Sequence, residues 1–204
     1  VDDSDSKSFP MSREDAITSI IASISDDDLI VSTTGMASRE LFECRERLGQ
    51  GHSSDFLTVG SMGHCSQIAL GIAMQTPDRR VICIDGDGAV LMHLGSLAIA
   101  GTTGPSNLTH LIINNGSHDS VGGQPTVARE IDFPAIANAC GYAKSDAVST
   151  LAELDKALAN SKDSNGPTLV EINVRSGARA DLGRPTISPV ENKNAFMGNI
   201  RNGR

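Results

Sequence analysis

At 204 residues the chain is one domain of ordinary size, long enough to bury a core without disulfide or metal staples. Aromatic residues make up only 3% and tryptophan is absent, so that core has to be aliphatic. A net charge of −8 without a basic cluster argues against nucleic acid or an anionic membrane surface as partner, and a site for an anionic substrate must be built locally. No run approaches the ~20 apolar residues of a membrane helix, and no signal-peptide pattern opens the chain. Cys44, Cys65, Cys83 and Cys140 are widely spaced with no C-x-x-C pair, which fits reduced core thiols in a cytoplasmic protein.

Residues 1–11 open polar, without an initiating methionine, and read as a linker or trimmed end; the chain is expected to be processed, a fragment, or half of something larger. Ser12 and Asp15 form a capping-box pattern before Ala16, Ile17, Ile20, Ile21 and Ile24, predicting a helix that ends at Asp26, Asp27 and Asp28. Residues 29–31 predict a first strand, which feeds a Thr33-Thr34-Gly35 turn and a helix near 38–42. From His64, apolar or small residues recur at Cys65, Ile68, Ala69, Ile72 and Ala73, the stripe of a sheet-facing helix that stops before Pro77. Residues 81–84 and 111–113 are short, wholly apolar and bounded by turn residues, so each predicts a buried parallel strand. Residues 116–130 predict an active-site loop ordered by metal or ligand.

Asp132 caps a short predicted helix through Cys140, closed by Gly141. Thr150 and Glu153 form a second capping box before Leu151, Leu154 and Leu158, and residues 168–174 predict the last strand. Residues 176–204 show little periodicity and predict an arm lying across a neighbouring surface, or a frayed tail. This leaves 12–175 as the domain proper. The β-α alternation predicts an α/β fold, three-layer αβα, with a mainly parallel sheet.

Gly86-Asp87-Gly88 follows one apolar run, and after 25 intervening residues Asn114-Asn115 follows the next. Both polar tips then lie at carboxyl ends of strands, the edge where open α/β sheets bind ligands. Magnesium takes hard oxygen donors, with only one or two carboxylates, and completes its octahedron with carbonyls, water and phosphates. One Asp, one Asn and a diphosphate match that set. Taken singly, Asn115-Gly116 also fits a type I′ hairpin turn and Gly-Asp-Gly an ordinary loop; the pair at this spacing, each behind a strand, favours the metal.

The pairing resembles the signature of thiamine-diphosphate enzymes. Residues 60–64, 114–126 and 183–196 are further similar to the phosphonopyruvate decarboxylase family, and the likeness runs over nearly everything from Ser12 to Phe196. That resemblance implies the thiamine-diphosphate-binding fold, with magnesium held by Asp87, Asn115 and the backbone carbonyl of Ser117. It implies that Gly86 and Gly88 let the backbone approach the phosphates, and that N–H groups of Gly88 and Ala89 and of the Gly35-Met36 turn meet them. Met62, set in Gly60-Ser61-Met62-Gly63, is implied to lie beneath the cofactor, and the Gly60 carbonyl to accept from the aminopyrimidine. A plain core methionine is the alternative for Met62.

Losing carbon dioxide from a 2-oxo acid leaves charge that no side chain can delocalise, so the cofactor carries the chemistry and the protein binds and orients. The implied reaction converts 3-phosphonopyruvate to phosphonoacetaldehyde and carbon dioxide, a carboxy-lyase activity on a small anionic 2-oxo acid. His118 and Asp119 directly follow the metal loop and are the catalytic candidates; His52, His64, His93 (in a helix) and His110 (beside a strand) read as structural, as does Cys44 beside Arg45 and Arg47. Related enzymes take an activating glutamate from a pyrimidine-binding domain, so a partner domain or α subunit in a hetero- or homo-oligomer is expected. The β subunit of sulfopyruvate decarboxylase and a non-catalytic cofactor-binding module are the alternatives. A nucleotide-binding dehydrogenase is disfavoured, because the first strand lacks a G-x-G-x-x-G turn.

Overall fold

Strands 81–84 and 111–113 can be apolar throughout because helices cover both of their faces. In the computed structural model, which describes residues 9–203, they become the centre of a six-stranded, wholly parallel sheet. The elements in chain order are α1 (Arg13–Ser23), β1 (Leu29–Ser32), α2 (Met36–Arg47), β2 (Asp55–Leu57), α3 (Cys65–Gln75), β3 (Val81–Gly86), α4 (Asp87–Met92), α5 (Ser96–Thr103) and β4 (Leu108–Asn114). A small antiparallel pair, β5 (Ser117–His118) with β6 (Gln124–Pro125), precedes α6 (Phe133–Cys140), β7 (Lys144–Val148), α7 (Leu151–Ser161), β8 (Thr168–Asn173) and α8 (Pro189–Asn202).

The sheet runs β2-β1-β3-β4-β8-β7. Alternation along each strand divides the core. Ile30, Ile82, Ile84, Leu111 and Ile113 pack with α1, α2 and α7, while Leu29, Val31, Val81, Cys83 and Ile112 pack with α3, α5 and α6. The chain leaves β1 for β2 on one side and returns to β3 on the other, so the order reverses between β1 and β3. Crevices at the carboxyl ends of strands beside such a reversal are where open α/β sheets bind ligands.

The capping boxes expected at Ser12 and Thr150 are present, and Asp132 caps α6, its side chain accepting from the Ala135 N–H. Residues 176–204 differ from the expected arm or tail. They contain α8, which starts at a Ser188/Glu191 capping box with Pro189 in its first turn and buries Phe196. Asn192 explains the docking: its Oδ1 accepts from the Leu57 N–H (3.0 Å) and its Nδ2 donates to the Asp55 carbonyl (2.9 Å). One amide thereby pairs the open edge of β2, which would otherwise present unpaired backbone groups. The expected linker lies mostly outside the described residues.

Gly101 tests the packing of α5 on α6. A Cβ there would lie 2.1 Å from the Cys140 carbonyl oxygen, a backbone atom that cannot rotate away. Gly101→Ala is expected to destabilise the chain by about 1–3 kcal/mol or more, overriding the helix preference for alanine. An unchanged urea unfolding midpoint would contradict this packing.

Candidate functional site

At the β1/β3 reversal lies an open cleft, lined among others by Thr33 and Thr34 after β1, by Asp85 to Ala89 at the β3–α4 junction, and by Asn115 and Ser117 to Ser120 after β4. Backbone bonds hold these strand ends together, with the Thr33 N–H donating to the Ile84 carbonyl at 2.7 Å. Of the residues predicted from sequence, Met36, Met62, Gly86, Asp87, Gly88, Ala89, Asn115, Ser117, His118 and Asp119 line this one cleft. Gly35 backs onto it: φ is +104°, and a Cβ would sit 3.3 Å from Ser120 Oγ. Gly60 and Ser61 are exposed beside it in a turn of positive φ, Ser61 being the one non-glycine in that region among the described residues.

Asp87 lies at the β3–α4 junction. It is the first residue of α4 and 3% exposed, and burial pushes its carboxyl pKa up against the opposing hydrogen bond from Thr126. Thr126 Oγ1 donates to its Oδ2 at 2.6 Å. Asn115 is also buried. Its Nδ2 donates to Asp119 Oδ2 (2.7 Å), and its Oδ1 accepts from the Ser117 N–H (3.2 Å). Because Asn115 does not have positive φ, the type I′ turn is ruled out for Asn115-Gly116. Asn114 plays the structural part instead, donating to Glu171 Oε1 at 2.7 Å and accepting from the Gly116 N–H at 3.1 Å.

Within residues 116–130 the chain is held by the β5/β6 pair, by the Gly123 N–H to the His118 carbonyl and by the Thr126 N–H to the Gly116 carbonyl, and it is tied outward by Thr126 to Asp87 and Asp119 to Arg13. This placement brings His118 over Gly88. A Cβ on Gly88 would lie 2.4 Å from the His118 ring and 3.3 Å from Met62 Cε, so any side chain there would have to displace the His118 ring. Asp119 Oδ2 accepts from Arg13 Nη1 (2.9 Å) and the Gly177 N–H (3.0 Å) as well as from Asn115. Burial opposes its ionisation, but the Arg13 bond and the other donors outweigh that and hold its pKa below the ordinary value.

Two contributors were missed in the sequence. Arg13 reaches the cleft from the first turn of α1, where the helix dipole disfavours a cation; that misplaced charge was the available signal. Asp85, fully buried, lies between the apolar run 81–84 and Gly86 and carries no role in the sequence reading. Its Oδ1 accepts from the Gly86 N–H at 3.0 Å, and its Oδ2 faces His110 Nε2 across 3.5 Å. His110 lies within β4, not beside it, and His93 caps the end of α4 instead of lying inside it. His64 and His93 pack on each other, and His52 stacks on Phe42, all outside the cleft lining. Cys44 is buried, 3.7 Å from Thr18 Oγ1.

The donor set suits a magnesium diphosphate: a buried carboxylate, an oriented amide oxygen, Ser117 in the same lining, and glycine backbone at Gly86 and Gly88. Residues 32–172 match the family model described as thiamine pyrophosphate enzyme, C-terminal TPP binding domain. The chain is 45% identical to a phosphonopyruvate decarboxylase of Streptomyces viridochromogenes over 86% of its own length, but spans only 43% of that relative. It is 37% identical to a sulfopyruvate decarboxylase subunit beta of Methanocaldococcus jannaschii, covering 72% of this chain and 76% of that one. Among solved structures, a thiamine diphosphate-dependent 4-hydroxybenzoylformate decarboxylase of Rhodococcus jostii superposes with a TM-score of 0.67 at 21% identity, over 82% of this chain and 33% of that one, a likeness of fold. Among the described residues no helix is long and apolar enough to cross a membrane.

Proposed function

The chain belongs to the thiamine pyrophosphate enzymes, through their C-terminal TPP-binding domain, and from that premise we propose that it is the magnesium- and diphosphate-binding half of a cytoplasmic enzyme that decarboxylates 3-phosphonopyruvate to phosphonoacetaldehyde. The observation that carries the substrate is the 45% identity to a phosphonopyruvate decarboxylase, set beside a cleft lined by Asp87, Asn115, Ser117 and His118. Asp87, the Asn115 Oδ1 and the Ser117 carbonyl would hold the metal. Gly86, Gly88, Ala89, Gly35 and Met36 would meet the diphosphate, while Gly60, Ser61 and Met62 would border the rest of the cofactor. When bound, thiamine diphosphate supplies the electron sink that the departing carboxylate requires.

Within this assignment His118 faces the substrate, with its ring over Gly88 and its backbone held by Gly123. Asp119 acts beside it by positioning, since its Oδ2 already carries three hydrogen bonds. The activating glutamate is assigned to a complementary pyrimidine-binding domain or α subunit. Support for two parts comes from the relatives: the match covers 43% of the phosphonopyruvate enzyme but 76% of the sulfopyruvate β subunit. That second coverage also favours a second reading, the β subunit of a sulfopyruvate decarboxylase.

Phosphonopyruvate, sulfopyruvate and pyruvate, assayed side by side with the complementary part present, decide between the two. The highest kcat/KM is expected for phosphonopyruvate. A preference for sulfopyruvate would transfer the assignment to the second reading, and equal use of pyruvate would show that the anionic group is not read. His118→Ala is expected to lower kcat/KM for phosphonopyruvate by roughly tenfold to a hundredfold, the effect of one charge-assisted contact, with a smaller loss for pyruvate.

A further inference from the structure

We propose that Arg13 is a positioning residue for the metal site, holding Asp119 and through it fixing which end of the Asn115 amide faces the metal. The inference rests on the reading of Asn115 as a magnesium ligand and extends it to α1 and α2, whose residues the family signature does not reach.

An asparagine amide has two nearly isosteric orientations, and only one presents oxygen to a cation. Here both ends of the amide are specified. Nδ2 points at an anion, Asp119 Oδ2, at 2.7 Å, and Oδ1 takes the Ser117 N–H at 3.2 Å with a lone pair left over. Turning the amide round would set its oxygen against the carboxylate and its NH2 against an N–H. The orientation is therefore as firm as the placement of Asp119.

Arg13 provides that placement. Its guanidinium is 5% exposed and uses separate donors for separate jobs. Nε and Nη2 form a fork on Glu40 of α2, at 2.7 and 3.0 Å, while Nη1 donates to Asp119 at 2.9 Å. Gly177 closes the group from the other side, its N–H donating to Asp119 (3.0 Å) and its carbonyl accepting from Arg13 Nη2 (3.3 Å). Glu40 is 2% exposed and Asp119 half-buried, so the arrangement is a largely buried Glu–Arg–Asp triad with one net negative charge beside the metal loop. Such a triad contributes little net stability, because desolvation offsets the attraction. What it does provide is a fixed direction, since a planar fork locks where a lysine ammonium would not. Groups that orient metal ligands in this way change metal affinity by about 10–100-fold when removed.

The test is calorimetry of magnesium titrated into the full chain in the presence of thiamine diphosphate, together with the thermal unfolding midpoint of each variant without ligand. Arg13→Lys and Asp119→Asn are each expected to weaken magnesium binding about tenfold or more while the unfolding midpoint stays near the parent value. Should Arg13→Lys fail to fold, Asp119→Asn, on the half-buried loop, decides alone. The double variant Asn115→Asp with Asp119→Asn exchanges amide and carboxylate across the same hydrogen bond, and it is expected to recover affinity relative to Asp119→Asn; a loss of general packing would not be rescued this way. Asp87→Ala serves as the control for the underlying reading. If Asp87→Ala abolishes binding while the folded Arg13 and Asp119 variants bind like the parent, the positioning role is overturned. If Asp87→Ala itself binds like the parent, it is the metal reading that fails.

Discussion

Asp87→Ala is expected to remove magnesium–thiamine diphosphate binding by orders of magnitude and to leave the ligand-free chain at least as stable as before. The two halves of this outcome have one cause. Asp87 is 3% exposed, and its main neutralising contact is a hydroxyl, Thr126 Oγ1, not a cation. Burial raises its carboxyl pKa, so keeping it ionised costs stability once the pH rises through the folded-state value. Alanine removes that cost and loses one hydrogen bond worth about 1 kcal/mol, and the two nearly offset. The bound metal would reverse the balance, because a divalent cation turns the same buried charge into the strongest ligand of the site. Ligand at a hundred times Kd stabilises by about 2.7 kcal/mol, which for a domain of this size raises Tm by roughly 5–10 °C. The parent chain should show that rise when magnesium and thiamine diphosphate are added together, and Asp87→Ala should show none. An equal rise in both would remove Asp87 from the metal site.

How much of this was legible in the sequence follows from what each residue depends on. The central strands could be read because both faces are buried, which forces Val81 to Ile84 and Leu111 to Ile113 to be apolar whatever surrounds them. The capping boxes at Ser12 and Thr150 could be read because they are local chemistry. Asp55–Leu57 could not: the strand has three residues, and its outer edge is paired by the Asn192 side chain, 135 residues or more away. Lys144–Val148 was missed for the related reason that an edge strand is mostly exposed and carries no apolar period. In α8 the Ser188 cap and Pro189 were there to be read, but Phe196 is the one large apolar side chain that it buries, too few for a stripe.

The same division holds at the site. Asp87 and Asn115 sit at strand tips and declare themselves through spacing. Arg13 and Glu40 meet only because α1 and α2 pack side by side on one face of the sheet, a juxtaposition with no local trace.

Turnover by this chain without a complementary pyrimidine-binding part is expected to be negligible, because the cleft has no carboxylate to spare. Three acidic residues line it among the described residues, Asp85, Asp87 and Asp119. Asp85 is engaged with the Gly86 N–H and faces His110. Asp119 carries Arg13, Asn115 and Gly177 on one oxygen, and Asp87 is assigned to the metal. Glu40, the nearest glutamate in this network, is forked on Arg13. None is left to exchange a proton with the cofactor's aminopyrimidine, the task given to a glutamate of the complementary part. A positioned acid–base group is worth about 10²–10⁴-fold in rate, so adding that part should raise decarboxylation by at least about a hundredfold, and its Glu→Gln variant should abolish most of the gain. Binding of thiamine diphosphate should respond differently, since the residues proposed here to hold magnesium and the diphosphate are on this chain and survive that variant. Enzyme-like turnover by the chain alone would mean that one of the three aspartates is freed when ligand binds, and Asp119, held by the single Arg13 Nη1 bond beside Asn115 and Gly177, would be the first to examine.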